Sequence, residues 1–145
     1  MPAWLGVVSA EHVARGVALG IVQTNHGKRS GIARMGPGDG MVYYSPQIRL
    51  GEPTPLRAFT SVGVVADGEI WQADEGDFRP FRRRVTYLTD AVQVPISALQ
   101  GRLQLTSTPN WGYQLRRGLV PLSDEDFETI RHAMDPQRSQ PTART

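Results

Sequence analysis

The chain of 145 residues contains no cysteine. Disulfides, thiolate zinc sites and cysteine nucleophiles are excluded together by that absence. Histidine is scarce as well: His12, His26 and His132 are far apart, and no His–carboxylate spacing resembles a metal site. No apolar run approaches the roughly 20 residues that a bilayer span needs, so no membrane partner is expected. The opening residues Met1–Gly6 lack the basic stretch and apolar core of a secretory signal, which favours a cytoplasmic location. Lysine is nearly absent too. Lys28 is the only one, against fifteen arginines.

What remains is an ordinary globular composition, 39% hydrophobic and 21% charged, at a length that suits one compact domain. The formal net charge of +2 says little about partners. The arginine bias says more, because guanidinium forks match phosphates and stack on bases; a GC-rich coding sequence gives the same bias.

Trp4–Ser9 (WLGVVS) reads as a short buried strand. Ser9 then caps a helix that runs to about Leu19, with Val13 and Val17 on one face and Gly20 at its stop. Ile21–Thr24 is a brief strand, and the basic segment Asn25–Arg34 (NHGKRSGIAR) an exposed loop ending in a turn of helix. Met41–Ser45 (MVYYS) reads as an aromatic-rich strand, followed by a proline-containing loop over Pro46–Pro55. Arg57–Ala66 predicts a long strand, with Asp67-Gly68 as a tight hairpin signal and Glu69–Ala73 as its returning partner. Arg79–Leu88 reads as a further strand with Pro80 at its start, and Ile96–Leu99 as one helical turn. After a short strand at Gly118–Pro121, Ser123–Met134 has the clearest helix signature: a serine cap, acids in the first turn, and Arg131 and His132 near the end. Residues 1–134 are thus one domain, and the polar remainder 135–145 reads as a disordered tail. Short strands, scattered helices and many Gly and Pro turns argue for a mixed α/β but mainly β fold: a small open β-barrel with peripheral helices.

Six strings in order, WLGVVSAEHVARG, HGKRSGIARMGPGD, YYSP, FTSVGVV, FRRRV and NWGYQLRRGL, resemble the EVE domain family of the PUA-like superfamily, beside the YTH and ASCH domains. The resemblance covers Trp4 to about Ile130. It implies a PUA-like barrel, no catalytic chemistry, no cofactor, and a pocket suited to a nucleobase. YTH relatives hold a methylated adenine of RNA, and some EVE domains are linked to modified cytosine in DNA. The chain departs from the family at Ser30-Gly31, where a proline and a small residue are usual, and at Gly40, where a bulkier one is. Both departures bear on the rim of the implied pocket rather than on the fold.

A base pocket needs flat apolar walls and a few donors and acceptors. Stacking on an aromatic contributes roughly 1–3 kcal/mol per base. Tyr43, Tyr44, Trp111 and Tyr113 are the aromatics beside polar residues. On a strand Tyr43 and Tyr44 point opposite ways, so at most one faces a pocket and the other is core. Trp111, between Asn110 and Gly112, is either a pocket wall or core; Trp4 and Trp71 read as core. Ser9 either only caps its helix or also offers its hydroxyl to a ligand. Asn25, His26, Gly27 and Lys28 form a polar cluster that could read a base edge, with Gly27 allowing close backbone approach. Ser45-Pro46 could face the same cavity. Arg82 and Arg84 share a strand face while Arg83 lies with Phe81 and Val85; the run is either a charged strand edge or, together with Arg29, Arg116 and Arg117, a set of phosphate contacts.

The expectation is a non-catalytic module for DNA or RNA carrying a modified or unpaired base, compatible with a monomer. An enzyme acting on a small nucleotide is the alternative, with His26 and Asp39 as its nearest acid–base candidates, but no nucleophile–base pair supports it. A protein-interaction adaptor is a third reading.

Overall fold

The computed structural model describes residues 2–24, 27–52 and 54–136. Eight strands build one curled sheet. They are β1 (Ala3–Val7), β2 (Ile21–Val22), β3 (Gly40–Gln47), β4 (Pro55–Val65), β5 (Trp71–Gln72), β6 (Phe81–Tyr87), β7 (Val94–Pro95) and β8 (Leu119–Leu122). The order is β2-β6-β4-β3-β1-β8, with β5 added to β6 and β7 to β4. Only β1 and β3 run parallel; the other pairings are antiparallel. Helices α1 (Ala10–Leu19), α2 (Arg29–Ile32) and α3 (Asp124–Met134) lie around this half-barrel, together with 3₁₀ turns at Ile96–Leu99, Gln104–Thr106 and Trp111–Arg117. The architecture is the mainly β, PUA-like one that the sequence implies.

The centre of the sheet is buried on both faces, as expected where a parallel pair is covered on each side. Alternate residues of β1 and β3 therefore enter different cores. Leu5, Val42 and Tyr44 join Phe59, Val62, Leu99, Ile130 and Met134 in one cluster. Trp4, Met41 and Tyr43 join Val13, Val22, Ile32 and Val85 in the other. Gly6 pairs with Tyr43 across β1 and β3, and a Cβ there would sit 2.7 Å from the Tyr43 ring. The β3–β4 register slips between Tyr43 and Tyr44, which oppose Ser61 and Phe59 and leave Thr60 as the extra residue of a bulge.

The caps are those read from the sequence. The Ser9 side chain accepts from the His12 amide, and the Ser123 side chain accepts from the Asp126 amide. Asp126 is itself 3% exposed, and its carboxylate accepts the amides of Gln104 and Leu105, both at 2.8 Å. One acid thereby ties the 3₁₀ segment to the start of α3.

Two expectations need correction. Residues 69–73 do not return along the long strand: Trp71 and Gln72 pair with Arg82 and Phe81. The reason is that Ala66 already donates to the Arg84 carbonyl and Val65 pairs with Val85, so β6 occupies that flank of β4. For the same reason the arginine run is no sheet edge. β6 lies between β4 and β2, and β5 pairs with its first residues, Phe81 and Arg82.

Candidate functional site

A cavity of about 430 Å³ opens beside the start of α1, within the size range of small-molecule sites. Three parts of the chain form it. The end of β1 and the first turns of α1 contribute Val7, Val8, Ser9, His12 and Arg15. The stretch after β2 contributes Gln23, Thr24 and Gly27. The tip of the β5–β6 hairpin brings Glu75 and Phe78, with the Glu75 amide donating to the Phe78 carbonyl at 2.8 Å, and Leu50 completes the rim. The Leu50 loop is docked on α1, because the Glu11 amide donates to the Ile48 carbonyl at 2.9 Å and Arg49 pairs with Glu11 at 3.3 Å.

The mouth is apolar. Phe78 and Leu50 are 41% and 86% exposed and supply apolar surface at the opening. The wall behind them is polar. Gln23 Oε1 accepts from Arg82 Nε at 2.8 Å, which fixes which end of the amide is the acceptor. Arg82 also donates to Glu75, and Arg15 approaches the same carboxylate at 3.8 Å. Arg82 above all holds the Glu75 carboxyl below its usual range. Partial burial, with the charges of Arg15 and Arg82, lowers the His12 pKa, so the imidazole is neutral at pH 7 and carries one donor and one acceptor nitrogen. Thr24 is 3% exposed and its hydroxyl has no hydrogen-bond partner among the described residues.

Gly27 makes this wall close. Its φ is +84°, and a Cβ there would lie 2.7 Å from Pro80 Cβ and 3.1 Å from Phe78 Cζ. The backbone is held by the Gly27 amide donating to the Thr24 carbonyl at 2.9 Å.

Of the residues singled out by sequence, Ser9 and Gly27 line the cavity. Asn25 and His26 lie outside the described residues. Lys28 and Arg29 are exposed, at the cap and first position of α2. Neither tyrosine of the YY pair offers a stacking face to the main cavity. Tyr43 is 1% exposed, donates its hydroxyl to the Gln23 carbonyl at 3.2 Å, and only borders a narrow cleft beside His12 and Arg82. Tyr44 is core, edge-on to Phe59. Burial raises the pKa of both phenols. Ser45 is fully buried and its hydroxyl is shared with Thr60 at 2.8 Å, which withdraws it from any ligand; Pro46 follows it half-buried. Trp111 starts a 3₁₀ turn and packs half-buried on the first core cluster; it is not among the described residues lining the cavity.

The expected phosphate contacts are tethered to differing degrees. Arg82 is engaged by Gln23 and Glu75. Arg84 lies 4.8 Å over the Trp71 ring and reaches the Leu19 carbonyl at 3.3 Å. Arg116 lies 4.8 Å over Tyr113. Arg83 faces inward as the alternation requires, 8% exposed, and its Nε has no partner among the described residues. Asp39 is buried and accepts from Trp4 Nε1 at 3.0 Å and from the Gly36 amide at 2.8 Å, a structural role. Neither family departure reaches the cavity. Gly40 lies under the Phe127 ring, while Ser30 and Gly31 border a separate concavity.

His12, Arg15, Gln23, Glu75 and Phe78 were missed by sequence reasoning. The available signal was the spacing of Ser9, His12 and Arg15, which places all three on one stripe of α1.

The EVE domain family model matches residues 3–133. The chain belongs to the EVE domain family. A UPF0310 protein of Renibacterium salmoninarum is 56% identical over 131 residues, covering 90% of this chain and 94% of that protein. A UPF0310 protein of Mesorhizobium japonicum is 47% identical, covering 90% of each. Among solved structures, a Pseudomonas putida protein matches with TM-score 0.57 at 15% identity, over 91% of this chain and 99% of that one. An Agrobacterium tumefaciens protein matches with TM-score 0.55 at 14% identity over 100% of both. At such identities the structural likeness concerns the fold. The family and its PUA-like fold fit a nucleic-acid-binding module. No helix among the described residues of this EVE domain is long and apolar enough to cross a membrane.

Proposed function

We propose that this EVE domain is a non-catalytic module that takes one base of a DNA or RNA strand, modified or unpaired, into the cavity between α1 and the β5–β6 hairpin. One observation carries the reading: a cavity of about 430 Å³ with exposed Phe78 and Leu50 at its mouth and His12, Gln23 and Thr24 in its wall. A flat apolar edge leading to a few oriented polar groups is what an extruded base requires. Phe78 takes the stacking role that the sequence suggested for Trp111. Gln23, oriented by Arg82, and neutral His12 supply the edge contacts, and Gly27 lets the backbone close on the ring.

The experiment is a binding panel of short single-stranded and duplex DNA and RNA, unmodified and with methylated or hydroxymethylated bases, read by fluorescence anisotropy. Binding to at least one modified or unpaired site is expected, weakened about 5- to 150-fold in Phe78→Ala, the equivalent of roughly 1–3 kcal/mol of stacking. Absence of binding across the panel, or full affinity in Phe78→Ala, overturns the proposal.

A further inference from the structure

Cations beside the base cavity are largely spoken for, since Glu75 engages both Arg15 and Arg82. A different pair of arginines is not. Arg34 and Arg117 border a concavity of about 220 Å³ with Ser30, Gly31 and Leu119. No acidic residue lines it, and neither guanidinium has a carboxylate partner among the described residues. Arg34 is preorganised. Its guanidinium lies 4.7 Å from the centroid of the Trp4 ring. Trp4 is 7% exposed and pinned through Nε1 to Asp39, which the Gly36 amide holds in turn. A buried acid thus fixes an indole, and the indole carries the guanidinium, so less side-chain freedom is lost when an anion binds. Arg117 approaches from the end of the 3₁₀ turn, and the Ser30 hydroxyl adds a donor.

We propose that this concavity is a seat for a backbone phosphate of the strand whose base enters the cavity. The seat rests on the reading given under Proposed function. Gly27 lines the cavity and Ser30 lines the seat. Three Cα steps of about 3.8 Å separate them, so they are at most about 11 Å apart, a span of a few nucleotides. Exposed Lys28 and Arg29 stand between the two. Two guanidiniums facing one concavity suit the tetrahedral, multiply accepting oxygens of a phosphodiester.

The test uses the full chain and two probes. Inorganic phosphate is titrated while the amide resonances of Ser30, Gly31 and Leu119 are followed by NMR. Saturable shifts are expected, and they are lost in Arg34→Gln/Arg117→Gln; no shift at these amides overturns the seat. A single-stranded DNA dodecamer of mixed sequence is then titrated at several salt concentrations. The double variant is expected to bind about tenfold more weakly, with the log–log salt slope flattened by roughly 0.7, the value for one phosphate on a single strand. Unchanged affinity and slope overturn the seat, and phosphate shifts without an effect on the dodecamer assign it to free phosphate, against the proposal. Arg117→Gln alone, which leaves the Arg34–Trp4 stack in place, gives a smaller loss of the same kind and guards against a folding defect at Arg34. Phe78→Ala separates the two claims: dodecamer affinity unaffected by it but reduced by the arginine variant removes the base reading and keeps the seat.

Discussion

Replacing Gly27 by alanine tests whether the cavity wall is as close as the geometry shows. Two costs add. A residue with a Cβ at φ +84° occupies the left-handed region, at about 1–2 kcal/mol. The new methyl would lie 2.7 Å from Pro80 Cβ, about 1 Å inside an optimal carbon–carbon contact. Overpacking of that kind costs roughly 1–3 kcal/mol, because Pro80 heads β6 and cannot retreat without moving it. Against this, alanine restricts the unfolded chain and returns roughly 0.4–1 kcal/mol. The net expectation is a destabilisation of about 2–4 kcal/mol, or roughly 6–12 °C in Tm for a domain of this size.

Gly51→Ala is the matched control. Gly51 has the same φ of +84°, and a Cβ there meets nothing within 4 Å. It carries the backbone cost without the clash, so about 1 kcal/mol or less is expected once the unfolded-state term is counted. Urea unfolding of both variants at matched m-value isolates the contact as their difference. If Gly27→Ala unfolds within about 0.5 kcal/mol of Gly51→Ala, the wall yields freely and the idea that Gly27 sets its closeness is wrong. If the difference is present, the same displacement of Phe78 weakens binding of whichever oligonucleotide the domain takes.

Glu75→Gln removes the carboxylate that faces Arg15 and Arg82, so affinity for single-stranded DNA is expected to rise, with a steeper salt dependence in anisotropy titrations. His12 titrates below its unfolded value of about 6.5. The unfolded chain therefore binds the proton first as pH falls, and stability is fully present above pH 6.5 and declines through the lowered folded pKa; His12→Gln should flatten that segment of a pH series of urea midpoints. Asp126→Ala strands the buried amides of Gln104 and Leu105 and should cost about 2–4 kcal/mol by chemical denaturation, with base binding intact in the population that stays folded. Trp111→Ala should lower stability through lost packing on the first core cluster while leaving oligonucleotide affinity within about twofold, the opposite of what a wall residue would show.

Much of the fold was legible because its signals are local. A serine three residues before the amide it caps, the Gly20 stop and the apolar run of β1 each act over one turn or one strand, and each stands where the sequence puts it. The pairing of Trp71 and Gln72 was not legible. Asp67-Gly68 is a hairpin signal, but which strand a two-residue segment joins depends on which edge is still open, and the approach of β6 to β4 is long-range. The YY pair failed for a related reason: alternation correctly separates Tyr43 from Tyr44, yet says nothing of how many faces of the sheet are covered.

The site was hidden by the same limit in a sharper form. The residues of the candidate cavity come from a helix stripe, a strand exit and a hairpin tip; Ser9 and Gly27 were singled out in the first two, and nothing in the third marked it. In the sequence Glu75 stands among the acids Asp74 and Asp77, and Arg82 in a basic run; the β5–β6 pairing places them in contact and turns Arg82 toward Gln23. That contact also distinguishes among the arginines in a way the sequence does not. Arg82 and Arg84 of the densest run are engaged by a side-chain amide, a carboxylate, a backbone carbonyl and an indole, whereas Arg34 and Arg117, 83 positions apart in the sequence, share a concavity with no acid in its lining. Local arginine density therefore says little about which guanidiniums are left without a carboxylate partner. A guanidinium's availability is decided by what the fold sets within its reach.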